Sequence, residues 1–276
     1  MSKTVNDVRA FWNSNPLWSG ESQFEPGTRE FFDEHRRVYI DDCFGGVFDE
    51  GTMPDATHRR RVLDLGCGPG FWTIELATRG CDELVAADLT PAALELCRTR
   101  CQLSGVRAEF SEQNAEALTF EDQSFSHVNC QGVIHHTPQT EKCVAEIARV
   151  LEPGGSASIS VYYRNMALRT WPVWRGLGRI LHKVGARMEG RGREDIFAEN
   201  NPDEIVRLYD GAENPIGKSY TRQGFRDLVE PHLEIERIYF HFFPARSLPM
   251  KIPKFLHRIL DRKLPFMIYG QLRKPV

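Results

Sequence analysis

No stretch of this sequence approaches the roughly 18 apolar residues that a membrane-spanning helix needs. A membrane bundle is therefore excluded. The opening residues, MSKTVNDVRAFW, contain no apolar core, so no secretory leader is expected. No Cys-x-x-Cys pair occurs, and the seven cysteines at 43, 67, 81, 97, 101, 130 and 143 are odd in number. That argues against a disulfide frame or a zinc site and for free thiols in a reducing compartment. No metal is expected, and the expected location is cytoplasmic. Internal repeats and low-complexity tracts are absent as well. What is present is ordinary for a soluble globular protein: 41% hydrophobic and 26% charged residues over 276 positions. That length allows one large domain or two small ones, with room for a sizeable core.

Acidic charge is scarce in two places. Residues 164–193 carry eight Lys or Arg against one acid, Glu189, and residues 246–276 carry eight against Asp261, although the formal net charge is −3. Such segregation predicts two basic patches. Each could meet a phosphate, a carboxylate or an anionic membrane surface, or be a solvated basic face.

Residues 1–58 read as a helical, aromatic-rich N-terminal extension, with Trp12 among its aromatics. From residue 61 the pattern becomes strand, glycine loop and helix in alternation. Strands are predicted at 61–65, 83–89, 106–110, 125–132 and 156–163, with a turn at 152–155. Helices are predicted at 71–79, from 91 to about 103, and at 139–151. Strands alternating with helices of this length imply a parallel sheet covered on both faces. Residues 164–220 interrupt the rhythm, and an insertion of that length usually has a task. A helix there would set Val173, Trp174, Leu177, Ile180, Leu181 and Val184 on one side. Arg175, Arg179, Lys183 and Arg187 would form a row on another. A helix at 221–230, a strand at 233–243, an amphipathic helix at 253–264 and a strand at 266–273 complete the chain. In the last of these helices Phe255, Leu256, Ile259 and Leu260 would face one way, with Lys254, Arg258 and Arg262 on another side.

The strongest motif is Asp64-Leu65-Gly66-Cys67-Gly68-Pro69-Gly70. A strand runs into Gly-x-Gly-x-Gly and then a helix, so the backbone can turn tightly and approach a ligand. The dinucleotide fingerprint needs glycine at position 71, where Phe71 stands. A nicotinamide oxidoreductase is disfavoured for that reason. Asp88 ends the second strand, where an acid can accept hydrogen bonds from both ribose hydroxyls of a nucleoside.

With these residues the sequence resembles the class I S-adenosylmethionine-dependent methyltransferases, in particular their small-molecule branch, which includes ubiquinone- and menaquinone-biosynthesis enzymes. Asp64-x-Gly66-x-Gly68-x-Gly70 is similar to the family's first motif, and Asp88 to its ribose-binding acid. Gln113-Asn114-Ala115-Glu116 resembles the run whose acid holds the adenine amino group, with Asn114 in place of Asp. Further likenesses run through 120–125, 132–138 and 148–155. The resemblance implies an α/β, Rossmann-like, doubly wound sheet of seven strands, mostly parallel with an antiparallel last strand. It implies a methyltransferase domain at 59–276, with 1–58 as a lid and 164–220 as a substrate cap. It also implies S-adenosylmethionine as cofactor, with S-adenosylhomocysteine as product. Asp64, Gly66, Cys67, Gly68, Gly70, Asp88, Leu89, Asn114, Ala115 and Gln131 are the expected cofactor residues.

Methyl transfer from a sulfonium is an in-line displacement that rests mainly on near-attack geometry. A hydroxyl acceptor also needs a base. His135 and His136 follow the fourth strand, at the end where open parallel sheets bind ligands, and are the catalytic candidates. Trp12, Tyr162, Arg175, Arg179, Tyr209 and His241 are candidate substrate contacts. The Arg row suits an anionic acceptor. The expected partner is a small molecule, with a weak anionic membrane contact through 251–264 as an addition. Nucleic acid is not expected, since 130–133 lack the Pro-Pro-aromatic signature of base amino-methylation. A nucleic-acid or lipid-headgroup methyltransferase and a non-catalytic S-adenosylmethionine-binding protein at the membrane surface are the alternative readings.

Overall fold

The computed structural model describes residues 3–183, 196–248 and 250–276. Val184 and Arg187, counted above on the faces of a predicted helix, lie outside the described residues. The strands are β1 (Arg61–Leu65), β2 (Glu83–Asp88), β3 (Glu109–Glu112), β4 (Phe125–Gln131), β5 (Leu151–Tyr163), β6 (Ser219–Tyr220), β7 (Glu234–His241) and β8 (Met267–Arg273). They form one sheet in the order β3-β2-β1-β4-β5-β8-β7, with β6 pairing beside β5. Strand β8 runs antiparallel to β5 and β7, and the other pairings are parallel. This is the mostly parallel, doubly wound architecture expected from the sequence, with the short β6 added.

The helices follow in chain order. The N-terminal extension folds as α1 (Val5–Ser14) and α2 (Arg29–Phe44). Then come α3 (Phe71–Thr78), α4 (Pro91–Ser104), α5 (Thr140–Val150), α6 (Met166–Arg169) and α7 (Trp171–Lys183). The set ends with α8 (Pro202–Tyr209), α9 (Arg222–Val229) and α10 (Lys254–Lys263). Local signals explain several boundaries. Thr4 and Asp7 make a reciprocal capping box at α1, satisfying two orphan N–H groups. Thr90 caps α4, with Pro91 in its first turn and Gly105 in the left-handed conformation at its end.

Strand β4 is buried along its whole length. This is the near-continuous burial that parallel strands acquire when helices cover both faces. One core cluster joins Leu63, Val128, Ile159 and Ile268 to Ile147 of α5 and Phe225 of α9. A second, on the other side, joins Phe71, Trp72 and Leu76 of α3 to Phe44, Tyr239 and Tyr269. Burying each such side chain contributes about 1.5–3 kcal/mol.

Several expectations need correction. The third strand lies at Glu109–Glu112 rather than 106–110. Val106 N–H still bonds Cys101 O at 2.9 Å, so the helix end holds the chain until it can return to the sheet. Residues 152–155 belong to the start of β5, where the register shifts between Phe125↔Leu151 and His127↔Ser156. Strand β6 has two residues, too short for any periodicity. On α7, Val173 and Trp174 face solvent instead of forming an inner apolar side. On α10, Phe255 and Ile259 are exposed while His257 and Asp261 are buried.

Candidate active site

Strand order reverses between β1 and β4, and ligands bind such sheets at the carboxyl ends of the strands beside that point. A cavity of about 260 Å³ opens there. Its wall takes Leu65 and Gly66 at the end of β1, Asp88 and Leu89 at the end of β2, Gln113 to Ala115 after β3, and Gln131 to Val133 at the end of β4. His135, His136 and Tyr162 extend the wall, and α1, α2 and residues 16–21 close it from outside.

The glycine loop is shaped by close approach. Gly66 has φ +75°, and a Cβ on it would lie 2.2 Å from a Val133 methyl. Gly68 also has positive φ, but a Cβ there meets nothing within 4 Å, so its backbone is bare on that side. Gly68 N–H donates to Asp88 Oδ2 at 3.1 Å, while the Thr90 N–H and hydroxyl donate to Oδ1, each at 2.9 Å. Burial pushes the Asp88 carboxyl above its ordinary range, and those bonds pull it back.

Behind the loop runs a buried polar chain. Thr73 Oγ1 donates to Asp64 Oδ2 at 2.6 Å, and Asn129 Nδ2 donates to Asp64 Oδ1 at 2.9 Å. Gln131 Nε2 donates to Asn129 Oδ1 at 3.1 Å and to Ser158 Oγ at 2.7 Å. Burial pushes the Asp64 carboxyl up to about 6 against the pull of its two donors. The chain fixes the Gln131 amide and leaves its Oε1 buried without a hydrogen-bond partner among the described residues. A buried acceptor in that state carries a desolvation penalty until a donor arrives.

Part of the wall is aromatic. The His135 ring packs 4.3 Å from Tyr162 and 4.2 Å from His136, centroid to centroid. Its Nδ1 is buried and unpartnered among the described residues. Burial, with His136 and Lys218 nearby, holds its pKa well below the ordinary imidazole value. It is therefore a neutral ring at neutral pH. His136 Nδ1 faces Ile216 O at 2.8 Å, and its Nε2 lies 3.3 Å from Asp210 Oδ2. Tyr162 OH donates to the same Asp210 oxygen at 2.7 Å. Trp12 meets the His136 ring edge-on at 5.2 Å.

The cavity wall thus gathers twelve sequence candidates: Gly66, Gly68, Asp88, Leu89, Asn114, Ala115, Gln131, His135, His136, Trp12, Tyr162 and Tyr209. Six others lie off it. Asp64 bonds Thr73 behind the loop, the buried Cys67 side chain packs with Ala86 and Cys97, and Gly70 starts α3 in left-handed conformation against Cys97. Arg179 Nε donates to Phe197 O at 3.0 Å, and Arg175 shares its helix away from the wall. His241 is held between Asp49 and Asp261 at 3.0 and 3.2 Å. The Asn114 Oδ1 expected to meet a ligand accepts Glu116 N–H at 3.1 Å.

Other wall residues escaped the sequence reading. His35, Val38, Tyr39, Asp42 and Cys43 come from α2, and Trp18, Glu21, Phe242 and Arg246 lie beside them. The i, i+3, i+4 spacing on α2 marks a shared face, which was the available signal. Arg246 is neutralised where it stands, 2.5 Å from Glu21 Oε2, 2.9 Å from Asp42 Oδ2 and over the Trp18 ring.

The residues present fit an adenosyl sulfonium ligand: a carboxylate at the end of β2, a bare glycine backbone, and an orphaned amide oxygen that wants a donor. Among the described residues, no cluster of His, Cys, Asp and Glu is placed to hold a metal ion. No helix there is long and apolar enough to cross a membrane.

Comparison with known proteins gives the same reading. Residues 62–155 match the family described as a methyltransferase domain. An uncharacterised Synechococcus protein is 36% identical over 152 residues, covering 54% of this chain and 34% of that protein. A ubiquinone biosynthesis O-methyltransferase of Hahella chejuensis is 31% identical over 163 residues, covering 58% of this chain and 63% of that enzyme. The chain therefore spans less than two thirds of the length of either relative. A solved S-adenosylmethionine-dependent methyltransferase of Methanosarcina mazei shares the fold with TM-score 0.53 at 20% identity, covering 78% of this chain and 92% of that one. Residues 62–155 thus carry the likeness to a methyltransferase domain, and the fold is one that a solved S-adenosylmethionine-dependent methyltransferase shares.

Proposed function

We propose that this protein moves the methyl group of S-adenosylmethionine to a small-molecule acceptor. The observation that carries the proposal is one cavity with two kinds of lining. Gly66, Gly68, Asp88 and Gln131, whose amide oxygen lacks a partner among the described residues, share its wall with His135, His136 and Tyr162. When bound, S-adenosylmethionine supplies an electrophilic methyl on a sulfonium.

In this reading Asp88 accepts from the ribose hydroxyls. Leu89, Asn114 and Ala115 border the adenine, and Gln131 Oε1 accepts from the amino group. Trp12, Tyr162 and Tyr209 hold the acceptor in line, a positioning effect that can contribute about 7–11 kcal/mol. Neutral His135 takes the acceptor's proton. Oxygen is the atom we favour, because the Hahella relative is named as an O-methyltransferase. The anionic acceptor loses its support, since Arg175 and Arg179 stand off the wall and Arg246 is already paired. Residues 1–58 serve as a lid in this proposal, and Tyr209 and Asp210 are the contribution of the 164–220 cap. Seven free thiols favour the cytoplasm.

Two measurements test this. Calorimetry with S-adenosylhomocysteine should give a saturable heat, weakened at least about tenfold by Asp88→Ala, as expected for loss of charge-assisted hydrogen bonds. A radiolabelled methyl-transfer screen over pooled metabolites and lipids should then identify the acceptor. With it, His135→Ala should lower kcat by about 10²–10⁴ while leaving the calorimetric affinity intact. No heat in the first arm removes the cofactor reading. Heat without any transfer leaves the non-catalytic binding protein as the better account.

A further inference from the structure

The β7–β8 connection is long for a hairpin. It leaves the sheet at Phe242 and returns at Phe266, whose N–H bonds Phe242 O. Helix α10 fills it, and α10 is built inside out. A helix packed on a core normally buries its apolar stripe. Here the buried positions are His257 and Asp261, while Phe255 and Ile259 are 67% and 51% exposed, and Met250 just before the helix is 69% exposed. The arrangement is held firmly. His257 Nε2 donates to Phe243 O at 3.0 Å, Asp261 pairs with His241, and Arg258 Nε donates to Gly45 O at 3.2 Å. The outward apolar residues are therefore a fixed feature of the fold.

Around them stand Lys251, Lys254, Arg258, Arg262 and Lys263, all exposed. Among residues 250–263 no acid is exposed, because Asp261 is buried. Lys254 lies 3.6 Å from Asp41. Lys251, Arg262 and Lys263 make no ion pair among the described residues.

We propose that this face docks on an anionic lipid surface. Bulky apolar side chains between basic ones match the acyl–headgroup boundary, where the former enter the hydrocarbon edge and the latter meet phosphate. A nucleic-acid backbone would use the charges but not Ile259 and Met250. Phe242 and Met267, which flank the connection on either side, line the cavity, so docking brings the cavity wall to the bilayer. The inference does not depend on which acceptor is methylated.

The test is co-sedimentation of the full chain with phosphatidylcholine vesicles, with and without phosphatidylglycerol. The protein should pellet only with the anionic vesicles, and added salt should release it. That salt readout uses the unaltered protein and so is independent of any folding defect in a variant. Phe255→Ser with Ile259→Ser, and separately Arg262→Glu with Lys263→Glu, should each lower the partition coefficient about tenfold. Both variants should keep the melting temperature, since these side chains are exposed. No pelleting, or equal pelleting of the apolar variant, overturns the proposal. So does self-association without lipid that the apolar variant abolishes, which would make this face an interface between copies.

Discussion

A single methyl group at residue 66 tests the whole glycine loop. Gly66→Ala places that methyl against the Val133 side chain and forces a positive φ on an L-residue. The expected loss is about 1–3 kcal/mol of stability from backbone strain alone, read as a lowered melting temperature. Val133→Ala should relieve only the steric part. Gly68→Ala meets open space, so it should impair S-adenosylhomocysteine binding more than its melting temperature shows. The places of Gly66, Gly68 and Asp88 on the cavity wall were legible because a glycine loop and the acid ending the next strand are local chemistry at fixed spacing. The places of His35, Asp42 and Cys43 there were not. Their spacing marks one face of a helix, and nothing local says that this face covers a cavity.

Among the elements, α10 and α7 carry the same lesson. Periodicity found both helices, yet it gives faces without directions. Arg175 and Arg179 lie off the cavity wall, and the apolar residues of α10 point outward, while the polar His257 and Asp261 turn inward to Phe243 O and His241. For α10 the decisive partner is His241, set between Asp49 and Asp261. Its pKa is raised to about 9: burial opposes the charge, but the two carboxylates more than offset that. A raised imidazole pKa contributes stability that is fully present below about 6.5 and lost as pH rises through about 9. The melting temperature should therefore fall across that window, and His241→Asn should flatten the fall. An unchanged slope in the variant would assign the pH dependence elsewhere.

Taken as a whole, the molecule keeps its thiols covered. All seven cysteines are free, and six are buried, with Cys81 half-buried. Burial pushes the Cys81 thiol up to about 11. A thiol titration of the native protein should thus show one slow group at most, and all seven after denaturation. Several fast groups would mean that α2 and α4 open readily. The global fold was readable because alternating strands and helices constrain topology strongly. The placement of the N-terminal extension was less readable, since α1 is fastened by contacts far apart in sequence. Arg9 Nε donates to Leu89 O at 3.1 Å, and Asn13 Oδ1 accepts Ala92 N–H at 3.2 Å.

Strand β8 follows β7 in the chain yet lies between β5 and β7. During synthesis β7 must wait, unpaired, until residues 267–273 have emerged to bridge it to the growing sheet. Tyr269 and Met267 of that late segment also line the same cavity as Val5 and Val8. A nascent chain stopped short of residue 267 would therefore have neither a complete ligand chamber nor an anchored β7, and ligand could not rescue it.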